Sequence, residues 1–169
     1  MRRQSTRAVA LLAALIALIA TPALASAAPP GGGSGGPIWG TITVSVGSSA
    51  RVTAKILVQV PVDVTCSLNP DGIAAGASTQ PDVTFVSVQL SEAVGKSIAQ
   101  GFGSAGAFMC DGSTTHFMVP VQTQNVPFKS GKGIVQAFAE ADWGPVDPNT
   151  GQFAGVAFGS TAIQVIRLK

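Results

Sequence analysis

The residues from Arg51 to Cys66 alternate with a period of two almost without interruption. Val52, Ala54, Ile56, Val58, Val60, Val62, Val64 and Cys66 take the even positions. Arg51, Thr53, Lys55, Gln59, Asp63 and Thr65 take the odd ones, and Leu57 and Pro61 are the exceptions. Successive side chains on a strand point to opposite faces, so this pattern means one buried face and one wet face. It places Cys66 on the buried side. Pro61 cannot donate to a sheet ladder, which predicts an edge, a bulge or a change of strand there, and lets the run serve as two strands.

The rest of the chain repeats the theme in shorter pieces. Ile42, Val44 and Val46 alternate upstream, and Asp82–Leu90 is β-branched and apolar between Pro81 and Ser91-Glu92. Asn69-Pro70-Asp71-Gly72 reads as a turn. Asp111-Gly112 is a favoured pair for a two-residue hairpin between Ala107–Cys110 and Ser113–Val121. That register opposes Cys110 to Ser113 and Phe108 to Thr115. It turns Phe108, Phe117, Val119 and Val121 inward with Cys110, and Met109, His116, Met118 and Gln122 outward. Gly133–Trp143 and Phe153–Lys169, the latter broken near Gly159-Ser160, supply the last strands. Only Ser91–Gln100, with Val94 and Ile98 four apart, has spacing for a helical turn. The fold expected is an all-β antiparallel sandwich of seven to nine strands.

The N-terminus has a different grammar. Arg2, Arg3 and Arg7 precede the apolar run Ala8–Ala20, which is followed by Thr21-Pro22 and the small-residue site Ala25-Ser26-Ala27. This is the pattern of a cleavable export signal over residues 1–27. The run is shorter than the roughly 20 residues that cross a bilayer, and no cysteine follows it for lipid attachment. No stable membrane anchor is expected after cleavage. Residues 28–37, APPGGGSGGP, read as a flexible linker, and 38–169 as the sandwich domain.

Removing the signal reverses the charge balance. Three of the ten Lys and Arg lie within it, so seven remain against eight Asp and Glu, a formal charge of −1. A nucleic-acid binder needs a basic stripe, and none is present. Cys66 and Cys110 are the only cysteines, and in an oxidising compartment two cysteines read as one disulfide. With the single His116 they are too few to hold a metal, and no cofactor is expected.

Motifs for chemistry are sparse. Gly101–Gly106 spells a dinucleotide loop but lacks the preceding strand and following helix, and so reads as a glycine-rich connection. His116 has no nucleophile elbow to serve. Glu140 and Asp142 share one face of a strand beside the turn Asp147–Gly151, where solvated acids are common. The apolar residues at wet positions are more telling: Leu57, Met109 and Met118 form the candidate interaction surface. Trp39 and Trp143 lie near strand ends.

The export signal, the glycine-rich linker, the valine run ending in Cys66, Cys110-Asp111-Gly112 and Pro127–Lys132 together resemble small secreted Ig-like sandwich proteins of actinobacteria. The resemblance spans Ile38–Lys169 and implies an Ig-like sandwich without transferring a functional motif. Neocarzinostatin-type chromophore carriers are similar in size and architecture, though they typically hold two disulfides. The leading expectation is a secreted, non-enzymatic binding module for a protein or cell-envelope partner. A small-molecule carrier and a secreted hydrolase are the alternatives.

Overall fold

The computed structural model describes residues 36–145 and 147–169; the expected export signal over residues 1–27 and residues 28–35 of the expected linker lie outside the described residues. The described residues form nine strands and one short helix, numbered β1 Gly40–Val46, β2 Ser49–Ala54, β3 Leu57–Leu68, α1 Pro70–Ala74, β4 Val83–Val94, β5 Ser97–Gly106, β6 Asp111–Thr123, β7 Gly131–Trp143, β8 Gly155–Ser160 and β9 Gln164–Leu168. None of the helices described is long and apolar enough to cross a membrane.

One layer contains β1, β3 and β6, and the other contains β8, β7, β4 and β5. Two corners join them. At one, β9 leaves β7 and pairs in parallel with β2, which pairs with β3. At the other, β5 meets β6 at Gly101↔Thr123 and Phe102↔Gln122. Hydrogen bonding therefore runs in a closed circuit through β3, β6, β5, β4, β7, β9 and β2.

The inner faces follow the alternation. Val58, Val60, Val62 and Val64 of β3 are fully enclosed, and they pack in one core with Val86, Val88 and Leu90 of β4 and Val119 and Val121 of β6. β7 contributes the small residues Ala137, Ala139 and Ala141, which leaves room for larger side chains opposite. Phe128, the largest fully buried side chain, lies over Gly101, where an added Cβ would come 2.8 Å from its ring. Glycine is required at that corner because backbone and ring share the space.

The Arg51–Cys66 run does divide into two strands, but the break falls at Lys55-Ile56. Pro61 instead marks a change of neighbour. Below it β3 pairs with β2 at Gln59, and above it with β1 from Val62 onward. The missing N–H thus falls where one partner hands over to the other.

The hairpin at Asp111-Gly112 does not form. Gly112 has a positive φ of 87°, but Asp111 does not, and a type I′ turn needs both. Asp111 Oδ1 accepts from Ser113 N (2.9 Å), a local turn, and β6 pairs along its length with β3. Ala107–Cys110 is a crossing loop, and Cys110 N donates to Thr79 O at 2.7 Å. Ser91–Gln100 is a hairpin with Val94 opposite Ser97, not a helical turn, because Gly95 at φ 63° permits a two-residue connection. Gly101–Gly106 forms the second part of strand β5 rather than a connection. The helix is in the predicted turn: Asn69 Oδ1 caps Gly72 N (2.9 Å), and Pro70 fits the first turn.

Cys66 and Cys110 form the expected disulfide, 44 residues apart in sequence and both buried. It ties the end of β3 to the crossing loop, and not to a hairpin strand. A bridge of this kind belongs to an oxidising environment.

Candidate functional site

The two layers present very different outer surfaces. On β3 and β6 the outward residues make cross-strand polar pairs. Thr65 and Thr114 share a hydroxyl hydrogen bond of 2.7 Å, and His116 Nδ1 lies 2.7 Å from Asp63 Oδ1. The His116 side chain is 77% exposed. An imidazole oriented by a carboxylate can move a proton, but this pair stands on an open sheet face with no enclosing wall.

The outer face of the other layer is built around β7. Even-numbered residues of β7 point out, and antiparallel pairing sets their neighbours. Phe158 of β8, Glu140 of β7 and Phe85 of β4 form one row across three strands. Ser160, Phe138, Ser87 and Ser104 form the next, and Gln136, Gln89 and Phe102 the third. Val165, Ile134, Ser91 and Gln100 form the fourth. Phe158 is 60% exposed, Phe102 45% and Phe85 39%, while Ile134 and Val165 also stand mostly in solvent. A sheet face turned to water normally alternates to polar residues, so aromatic and aliphatic side chains here mark a surface suited to a partner.

Glu140 stands between Phe158 and Phe85. Desolvation in these half-buried surroundings, and then the nearby charge of Asp142, raise its carboxyl above the ordinary glutamate value. Asp142, two residues along the same side of β7, is buried. The acids paired in the sequence do share a face, as expected, but Glu140 stands between two phenylalanines and the buried Asp142 between Val83 and Val156, not in a solvated strand end. Asp147, in the following turn, is exposed, and the backbone N–H of Asn149 holds its carboxyl below the usual range.

A second feature lies at the β7 end of the domain. A recess of about 560 Å³ is lined by Trp39, Ser78, Gln80, Asp82 and Trp143. The two indole rings are 6.5 Å apart and tilted by 52°. Trp143 is buried, and its Nε1 donates to Ser78 O at 2.7 Å, while Asp82 Oδ2 accepts from Gly144 N at 2.6 Å. The recess is therefore a preformed polar rim around a largely fixed aromatic floor.

Leu57, Met109 and Met118 are dispersed. Leu57 is half-buried opposite Gln122 at one end of β3, and Met118 is 58% exposed opposite Pro61. Met109, 38% exposed, lies in the crossing loop just before Asp111, which pairs with Ser67 at the other end of β3. Met118 borders a recess with Pro61, Gln59 and Val52. Sequence reasoning missed the phenylalanines because each comes from a different strand. The wet parity of Phe85 and Phe158 was the available signal, and it gains weight only once the lateral register is known. Among the described residues, no group of three or more His, Cys, Asp or Glu is placed to hold a metal ion. No family model matches the chain, nor does any curated protein or solved structure.

Proposed function

We propose that this chain is an exported, non-enzymatic binding module of the Ig-like type that meets a protein or cell-envelope partner outside the cell. Its binding surface is the outer face of β8, β7, β4 and β5. The observation that carries this reading is the row Phe158–Glu140–Phe85, continued by Phe138 and Phe102: aromatic side chains held in fixed register on a rigid sheet, half exposed to water. Aromatic residues supply large contact area at low entropic cost, and they dominate the energetics of interfaces. The export pattern and the disulfide support an extracellular place of action.

The test is retention of the exported protein on isolated cell envelopes and by partners in culture medium. The pair Phe85→Ser with Phe158→Ser should lower retention at least about tenfold while the fold persists, since each anchor is worth more than about 1 kcal/mol. Met109→Lys with Met118→Lys should leave it intact. Unchanged retention in the first pair refutes the assignment, and loss in the second moves the surface to the opposite layer.

A second reading rests on the tryptophan recess, whose volume of about 560 Å³ is that of a small-ligand site. Native mass spectrometry of exported material would show a carried molecule that Trp39→Ala releases. A bare polypeptide alone would count against it.

A further inference from the structure

We propose that the occupant of the aromatic face is a second copy of this chain, docked face to face about a two-fold axis that runs across the strands near Gln136; this rests on reading that face as a binding surface. The face is chemically polarised. Glu140 lies toward one end of β7, and Lys132 lies toward the other, eight residues away and beside its cross-strand partner Arg167. Lys132 and Arg167 are exposed, and both have the outward parity of Ile134 and Val165. Between the charged ends the surface is apolar or uncharged: Ile134, Gln136, Phe138 and Phe102. Acid at one end, base at the other and aromatic residues between is a self-complementary arrangement.

The symmetry follows from the charges. A two-fold axis along β7 would set Glu140 against Glu140 and Lys132 against Lys132, which like-charge repulsion disfavours. An axis across the strands reverses β7 of one copy over β7 of the other. Lys132 then meets Glu140, Ile134 meets Phe138, and Phe102 meets Phe102 near the axis. β9 comes to lie over β8 of the partner, bringing Arg167 to the ring of Phe158, a cation–π contact. Two stacked twisted sheets keep their strands within about 30°, which this arrangement permits. Isologous contacts of this kind close on themselves and stop at a dimer.

The size is adequate for a reversible contact. Strand spacing of about 4.8 Å over four strand positions, and about 27 Å along β7, give on the order of 500 Å² per copy. The total of about 1,000 Å² is at the lower limit for specific association. Charge pairs at the ends therefore decide orientation and the aromatic centre supplies most of the attraction.

Sedimentation equilibrium of the exported protein, from about 1 μM to about 1 mM, tests the proposal. The expected result is a monomer–dimer equilibrium that weakens with added salt. Lys132→Glu or Glu140→Lys alone should weaken it at least about tenfold, and K132E with E140K in one chain should restore it, because both end pairs are then re-formed in reverse. Circular dichroism and thermal melts of each variant separate lost pairing from lost fold. A monomer at the highest concentration overturns the proposal, as does a dimer indifferent to both single reversals or a double variant no stronger than the singles. If the protein stays monomeric but F85S with F158S abolishes envelope retention, the binding surface stands and its occupant is another molecule. If neither result is obtained, both readings fall.

Discussion

The outer faces of the two layers use the same strand geometry for opposite ends. On β3 and β6, outward pairs include Asp63 with His116 and Thr65 with Thr114, groups that water serves as well as a partner would, and Met118 beside Pro61 is the exposed apolar exception. On β4, β7 and β8, the equivalent positions hold Phe85, Phe138 and Phe158 around one glutamate. Beneath both lies the same kind of core, valine facing valine and alanine. None of these phenylalanines belongs to that core. What the contrast teaches is that the two outer faces differ in composition over a common core, with the exposed phenylalanines confined to one of them.

The largest effect that sharpens the contrast is loss of the bridge. Cys66→Ser with Cys110→Ser should cost about 2–4 kcal/mol in a urea melt, given the length of loop it closes. The register of the aromatic face is set by β4, β7 and β8, so retention should fall only in proportion to unfolding. A variant that is well folded but no longer retained would show that the crossing loop contributes to binding.

Glu140→Gln gives a smaller change, and its sign depends on pH. The folded carboxyl is raised above its unfolded value, first by desolvation and then by Asp142. Between those two values the folded state holds more proton, so stability falls as pH rises through that window. The charge is then a burden at neutral pH. E140Q should be more stable than the parent at pH 7, by less than about 1 kcal/mol because the group is partly solvated, and the gain should vanish in acid. Urea melts at several pH values read this directly. Equal stability throughout would mean that the phenyl rings do not desolvate Glu140.

The smallest effect belongs to the polar face. Asp63→Asn should change stability by under about 0.5 kcal/mol, because an exposed pair gains little over water. A larger loss would break the comparison, making that face a structural element and not merely a wet one.

Much of the sandwich was legible in the sequence because burial imposes parity. Val58 through Val64, Cys66, Val119 and Val121 all face inward as their alternation required, and the bridge joins the two cysteines. The Asp111-Gly112 turn misled for a physical reason: local turn preference was outweighed by ten cross-strand partners that β6 finds on β3. The sequence places Trp143 near a strand end and no further, and it is buried and hydrogen-bonded to Ser78, a contact 65 positions away that no local pattern reveals. The aromatic face was illegible for a different reason. Phe85, Phe102, Phe138 and Phe158 are separated by up to 73 positions, and a lone phenylalanine at a wet site is ordinary. Only lateral pairing adds them together.

The closed circuit of strands has a consequence for how the molecule comes apart. β1 and β8 lie outside that circuit, each held along its length by a single partner strand, and they lie against each other. A short clasp joins them at one end, where Trp39 N donates to Val156 O and Val156 N to Pro37 O, both at 2.9 Å. Pro37, which composition assigns to the linker, is thus hydrogen-bonded into the fold. Parting β1 from β8 breaks this clasp alone, whereas parting β6 from β3 breaks a ladder that runs the length of β6. A truncation that removes Pro37 takes one of the two bonds of this clasp with it.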